Sequence, residues 1–225
     1  MNLTLFDLDG TLIPIDSDHA FGEFMVQVGW ADPDQYRHRN DVFYADYLAG
    51  RLDLAAYIEF ATAAWRHRVP GDALAVRERF VDEVIRPALR DSAIALVHRH
   101  QSAGDMTAIV TSTNEFVTRP IADLFGVADL IAVELERDTA GRATGRVHGE
   151  PSYREGKVTR VEQWLAAGGR TTRDFDRITV YGDSTNDLPL LEWCTNPVAT
   201  NPGPALAAIA AERGWPVLNL FSTNP

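Results

Sequence analysis

The feature that most restricts how this chain can fold is a rhythm of short β-type runs separated by helix-like stretches. The runs are Leu3–Asp9, Thr107–Thr111, Leu130–Glu136, Ile178–Asp183, Pro197–Thr200 and Val217–Leu220, and they end in polar or glycine-rich turns. Strands buried on both faces read as continuous apolar runs, and consecutive parallel strands need a crossover, usually a helix. The alternation therefore predicts an α/β fold: a doubly wound, mainly parallel sheet with helices on both faces. The intervening segments carry helix signals. "SAIALVHRHQSAG" has Asp91 or Ser92 as candidate N-cap and Gly104 as a stop. "EGKVTRVEQWLAAGG" sets Val158, Val161, Trp164 and Leu165 at helical spacing and ends at Gly168 and Gly169, and "NDLPLLEWC" opens a further short helix.

Residues 15–88 break the rhythm and show little strand character. Ala20, Phe21, Phe24, Met25 and Val28 form one helical stripe; Leu54, Tyr57, Ile58, Ala61 and Trp65 form another, with Asp53 as a candidate N-cap. This predicts a helical insertion, 15–88, within a core formed by 1–14 and 89–225, the two stripes being the packed interior of the insertion. Arg137–Gly149 has two glycine turns and reads as a hairpin loop.

Composition narrows the function classes. A net charge of −11 argues against nucleic acid or an anionic membrane as the main partner, because both need a basic surface. It leaves room for a small phosphorylated substrate, since a metal ion and one lysine can reverse a local field. No apolar run approaches the roughly 20 residues of a membrane span. The chain starts directly in a strand without a basic leader, and Cys194 is its one cysteine. A cytoplasmic protein without disulfides is expected. Cys194 reads as a core-edge residue and the six histidines as surface or structural groups; oligomeric state stays open.

In a parallel sheet, ligands bind beyond the carboxyl ends of the strands. What lies there is distinctive. The first run ends in Asp7-Leu8-Asp9, the Thr107 run in Thr111-Ser112-Thr113-Asn114, and the Ile178 run in "YGDSTND", presenting Asp183 and Asp187. Lys157 opens the helix after the hairpin loop. Several carboxylates gathered at one place repel unless a cation joins them, and all-oxygen ligands suit a hard ion such as Mg²⁺. A carboxylate can serve as nucleophile, a second as general acid and base, and a hydroxyl and an ammonium can hold phosphoryl oxygens. Two familiar loops fail on spacing. An EF-hand needs Gly at position 6, where counting from Asp7 gives Leu12 and from Asp183 gives Leu188. "GEPSYREGK" has the wrong glycine separation for a P-loop, and Val158 stands where Ser or Thr is needed.

"FDLDGTL", Thr111 at a strand end, Lys157 and "GDSTND" occur in the order of the four motifs of the haloacid dehalogenase-like (HAD) phosphatases, which this chain resembles over nearly its whole length. The resemblance implies a HAD-like Rossmannoid core, and a helical cap after the first motif is similar to the subclass that contains phosphoserine phosphatase. It implies Asp7 as nucleophile and Mg²⁺ ligand. Asp9 becomes the general acid/base, with its backbone carbonyl on the metal. Thr111, Ser112 and Lys157 bind phosphate, Asp183 completes the metal site, and Asp187 orients Lys157 or metal-bound water. An aspartate two residues after the nucleophile marks phosphate chemistry rather than carbon–halogen cleavage. Thr111 replaces a serine, and Ser184 a frequent glycine, of the phosphoserine phosphatase pattern.

Asp16 lies nine residues after Asp7, where phosphoserine phosphatases place a glutamate that meets the substrate amine. Asp16 or Ser17 could equally cap the helix that follows. Asp18 and Glu23 add negative charge there, favouring an amine or imidazolium beside the phosphate, and Arg154 stands ready for a phosphate or carboxylate. "DSDHAFGEF", "TSTNEFVTRPIA" and "EPSYREGKVTRVEQWL" resemble the bacterial histidinol-phosphate phosphatase branch. The expectation is a Mg²⁺-dependent phosphomonoester phosphatase acting through an aspartyl-phosphate on a small phosphorylated metabolite, L-histidinol phosphate first. The alternatives are phosphoserine, or a phosphotransferase or mutase of the same fold. A phospho-aspartate receiver also has an acidic pair, Thr and Lys, but is shorter and phosphorylated on a later strand.

Overall fold

The computed structural model describes residues 1–221. The strands are β1 (Asn2–Phe6), β2 (Met106–Asn114), β3 (Asp129–Val133), β4 (Leu135–Arg137), β5 (Ala143–Val147), β6 (Arg177–Gly182), β7 (Asn196–Thr200) and β8 (Val217–Leu218). Six of them form one sheet in the order β3-β2-β1-β6-β7-β8, and every neighbouring pair is parallel. Between β1 and β2 come α1 (Ser17–Gln27), α2 (Pro33–Leu48), α3 (Leu54–Ala63), α4 (Pro70–Phe80), a π-helical turn, α5 (Arg86–Ala88) and α6 (Asp91–Ser102). The remaining helices are α7 (Glu115–Leu124), α8 (Glu155–Ala167), α9 (Leu188–Trp193) and α10 (Pro204–Arg213). None of them is long and apolar enough to cross a membrane.

Strand periodicity sorts the core into two layers. Leu3 and Leu5 of β1, Ala108 and Val110 of β2, and Ile178 and Val180 of β6 point to one face, where they meet Val161 and Leu165 of α8, Leu190 of α9 and Leu206 of α10. Phe6, Ile109 and Tyr181 point to the other, against α6 and α7. The sheet is thus doubly wound. Because β1 is central, with β2 on one side and β6 on the other, the chain diverges at its carboxyl end and leaves a crevice there.

The run Leu130–Glu136, expected as one strand, is two. β3 leaves the main sheet at Val133, and Leu135 begins β4, which pairs antiparallel with β5. Val133 and Leu135 are both buried, so the apolar pattern continues while the backbone changes partner at Glu134, whose side chain meets Arg160 of α8. Neither Asp91 nor Ser92 caps α6. Asp91 is its first helical residue, where a carboxylate suits the positive helix end, and Arg90 precedes it without a side-chain cap bond. Asp53 does cap α3, accepting from Ala56 N at 3.1 Å.

The two stripes of the insertion also differ from expectation. Phe21, Phe24, Met25, Ile58 and Trp65 join one continuous cluster with Phe6, Ile109, Phe116 and Ile121. Only Val26, Tyr36 and Phe60 form a smaller cluster of the insertion's own. Helices this short bury their apolar faces best on the larger neighbouring surface.

Candidate active site

The site is built where β1 ends. Asp7 N still donates to Tyr181 O at 2.9 Å, continuing the ladder past the last regular strand residue. The chain then turns at Gly10, φ +76°, a conformation that favours glycine. A Cβ at Gly10 would overlap the Asp183 carboxylate, so the missing side chain is also the space Asp183 occupies. Asn201 holds this loop from β7's side, donating to Gly10 O at 2.9 Å and Thr11 O at 3.2 Å.

Lys157 is fully buried, far from the solvated lysine its place near a helix start suggests. Its Nζ donates to Asp7 Oδ1 at 2.7 Å and to Asp187 Oδ1 at 2.5 Å. Asp187 sits in a one-turn 3₁₀ helix (Thr185–Asp187) and forms a capping box with Ser184. Carboxylate oxygens of Asp7, Asp183 and Asp187 lie within 4.8 Å of one another. Three carboxylates and one ammonium leave an excess of negative charge. Burial, then Asp187, push Asp7 up to about 7 despite Lys157. Burial, then Asp7, raise Asp183 well above the ordinary range. On Lys157, Asp187 and Asp7 outweigh burial and raise the pKa, keeping it charged. Oxygen donors, surplus negative charge and the cradle at Gly10 fit a hard divalent cation.

Asp9 lies outside that group of three carboxylates. Ser17 N donates to its Oδ1 at 2.8 Å and the Thr113 hydroxyl to its Oδ2 at 2.9 Å. Burial, then Asp16, raise its pKa. Thr111 is buried, and its hydroxyl accepts from Thr113 N at 3.1 Å. The Ser112 hydroxyl is buried and has no hydrogen-bond partner among the described residues. Asp16 caps α1, its Oδ1 accepting from His19 N at 2.8 Å. It also lines the crevice beside Asp9 and Asp183. Arg154 takes another course: its Nη1 donates to Gly50 O of the insertion at 2.7 Å, outside that crevice.

A second cavity adjoins the first, sharing Asp16, Tyr44 and Tyr47 as walls. Asp18, His19, Asn40, Phe43, Tyr57, Ser112 and Thr113 add its other polar and aromatic groups, and among the described residues no lysine or arginine lines it. Asp18 is buried; Oδ1 accepts from Asn114 Nδ2 at 3.3 Å, while Oδ2 has no hydrogen-bond partner among the described residues. Burial, then Asp16, push Asp18 up to about 7. Thr113 and Asn114 were visible in sequence only as polar residues at a strand end. Their bonds to Asp9 and Asp18, 104 and 96 residues away, had no local signal.

The haloacid dehalogenase-like hydrolase family model matches residues 4–192. The chain is 42% identical over 218 residues to the histidinol-phosphatase of Neisseria meningitidis serogroup C (strain 8013), covering 97% of this chain and 98% of that one. A crystal structure of a protein of unknown function from Bordetella pertussis Tohama I superposes with a TM-score of 0.92 at 48% identity, covering 98% and 99% of the two chains. A substrate-bound phosphoserine phosphatase shares the fold at a TM-score of 0.66 and 17% identity, over 96% of this chain and 91% of the other. With its aspartates and lysine gathered at the switch point of a doubly wound sheet and a family match over most of its length, the chain belongs to the haloacid dehalogenase-like hydrolases.

Proposed function

We propose that the protein is a phosphomonoester phosphatase that hydrolyses L-histidinol phosphate. The observation that carries the substrate is the second cavity: two carboxylates, Asp16 and Asp18, among the rings of Phe43, Tyr44, Tyr47 and Tyr57, without a lysine or arginine in the lining. A protonated amine and an imidazole are matched by acids and aromatic faces. Phosphoserine would bring a carboxylate into the same place with no lysine or arginine to meet it, and the one histidine of the lining, His19, is turned to Asp41 at 3.0 Å. The 42% identity to a histidinol-phosphatase supports the same reading.

In this reading Asp7 is the nucleophile. One of its oxygens is held by Lys157, and the other attacks phosphorus in line with the leaving alkoxide. A phosphorus–oxygen bond forms on Asp7 as the ester bond breaks, and Asp9 delivers its proton to the alkoxide. Asp9 then takes a proton from water as that water attacks the aspartyl-phosphate, releasing phosphate and regenerating Asp7. The Ser17 N–H and Thr113 hydroxyl position Asp9. Ser112, Thr111 and Lys157 stand beside the phosphoryl group. Asp7, Asp183 and the Asp9 backbone carbonyl would hold Mg²⁺, with Asp187 orienting Lys157; bound there, Mg²⁺ neutralises phosphoryl charge. Residues 15–88 act as a cap over a core of 1–14 and 89–225, and the protein works in the cytoplasm on a diffusible metabolite.

Phosphate release, measured with Mg²⁺ and with EDTA across L-histidinol phosphate, L-phosphoserine, sugar phosphates and nucleoside monophosphates, tests the reading. kcat/KM should be highest for histidinol phosphate by at least about tenfold, and EDTA and Asp7→Asn should each abolish turnover. Uniform slow turnover of every ester would discard the substrate; activity retained by Asp7→Asn would discard the nucleophile.

A further inference from the structure

A third cavity, of about 310 Å³, is walled by the segment from Trp65 to Arg77, by α7 and by the β4–β5 hairpin. Arg66, Arg68, Arg77, Arg119, Arg137 and Arg142 line it, and Glu115 is the single acidic residue in the lining. The chain has 21 lysines and arginines, of which Lys157 is the one lysine. Six arginines in one recess of a protein of net charge −11 form a local field opposite in sign to the whole.

Three of the six are neutralised. Arg119 pairs with Asp123 at 3.0 Å, Arg137 with Glu115 at 2.9 Å and Arg142 with Asp138 at 3.0 Å. Arg66, Arg68 and Arg77 have no carboxylate within ion-pair distance among the described residues. Arg66 and Arg77 are nevertheless held in place. Arg66 Nη1 donates to Glu59 O at 2.8 Å and to the Thr62 hydroxyl at 3.1 Å. Its guanidinium lies against β5 at Gly145, φ +89°, where any Cβ would overlap it; the strand gives up a side chain to admit the arginine. Arg77 stacks 5.0 Å from the Phe116 ring centroid and donates to Phe116 O at 3.3 Å. Its Nε is buried without a hydrogen-bond partner among the described residues. Beneath them Trp65 stacks on Phe116, centroids 4.0 Å apart and 11° from parallel.

A buried N–H left unpaired is costly, and guanidinium forks match phosphate and carboxylate oxygens. We propose that this cavity binds a small polyanion bearing phosphate or carboxylate groups, held by Arg66, Arg68 and Arg77. The site stands apart from the phosphatase chemistry. Its walls come from both the helical insertion and the core, so an occupant favours the arrangement that keeps the two together. The first turn of α7 separates it from Thr113 and Asn114, which hold Asp9 and Asp18.

Inorganic pyrophosphate titrated calorimetrically into the full-length protein in EDTA at low salt tests this, because the metal-free carboxylate cluster repels anions. One equivalent should bind. Arg77→Gln, and separately the pair Arg66→Gln with Arg68→Gln, should each weaken binding about tenfold or more. Phosphate release measured with Mg²⁺ and without pyrophosphate should stay at the wild-type rate in these variants. If Arg77→Gln lowers the melting temperature, the Arg66/Arg68 variant, in which Arg68 is exposed and Arg66 half-buried, decides alone. A parallel titration with citrate separates the two sources: preference for pyrophosphate assigns a phosphate-bearing ligand, preference for citrate a polycarboxylate. No binding of either anion at millimolar concentration, or binding unaltered by both variants, overturns the proposal.

Discussion

Lys157 carries two loads at the residue scale. It is fully buried between Asp7 and Asp187, so removing its charge leaves two carboxylates facing each other out of water. Breaking a buried ion pair in this way costs about 3–5 kcal/mol. Lys157→Met should therefore lower the unfolding free energy by that much, read as a lower urea midpoint at unchanged slope, and adding Asp187→Asn should recover part of the loss. An unchanged midpoint would mean that the pair is no structural element. Asp18 presents the opposite case, a carboxyl destabilised by its place. Its folded pKa is raised from 3.8 to about 7, so between these values the folded state binds more protons than the unfolded one. Stability then falls as pH rises through that window and stays reduced above it. Asp18→Asn should melt higher than wild type above pH 7 and lose the advantage near pH 4, while raising KM for histidinol phosphate more than it changes kcat. A variant that melts lower at alkaline pH would contradict the assignment of strain at Asp18.

At the scale of elements, the loop after β1 shows how a turn prepares a site. Gly10 supplies both the positive φ and the gap that the Asp183 carboxylate fills. Gly10→Ala adds strain of about 1–3 kcal/mol and displaces Asp183. Turnover at limiting Mg²⁺ should drop and be restored in part by raising Mg²⁺, which a loss of folding alone would not produce. Turnover at wild-type levels for all Mg²⁺ concentrations would show that the gap is idle. Cross-links between elements finish the arrangement: Asn186 Nδ2 reaches Tyr47 O at 3.1 Å, joining the β6 loop to α2 of the insertion.

For the whole molecule, the crevice lies between the carboxylates beyond the carboxyl ends of β1 and β6 and the helices after β1, which also present acids. Bound Mg²⁺ should relieve this repulsion in the folded state and have no comparable site in the unfolded one. The melting temperature should rise with Mg²⁺, by about 2.7 kcal/mol in stability at a hundred times Kd. Asp183→Asn should abolish the rise. A rise of equal size in that variant would place the ion elsewhere.

How much of this was legible before folding depends on how local the cause is. Apolar runs, glycine stops and the caps at Asp16 and Asp53 act over a few residues, so the strand order in sequence, the helices between β1 and β2 and the α/β class could be read directly. So could the placing of Asp7, Asp9 and Asp183 at strand ends, because a parallel sheet brings all strand ends to one side, and of Lys157 at a helix start. The structure alone settled what depends on distant neighbours. Burial of Lys157 follows from two carboxylates contributed 150 and 30 residues away. The break at Glu134 left no trace in an unbroken apolar pattern, since hydrophobicity records burial and not the ladder partner. The insertion's stripes lie on the core because the larger apolar surface was there, a fact no stripe contains. The recess of arginines is the extreme case: its members are spread from Arg66 to Arg142, and only packing of the hairpin against α3, made possible at Gly145, sets them face to face.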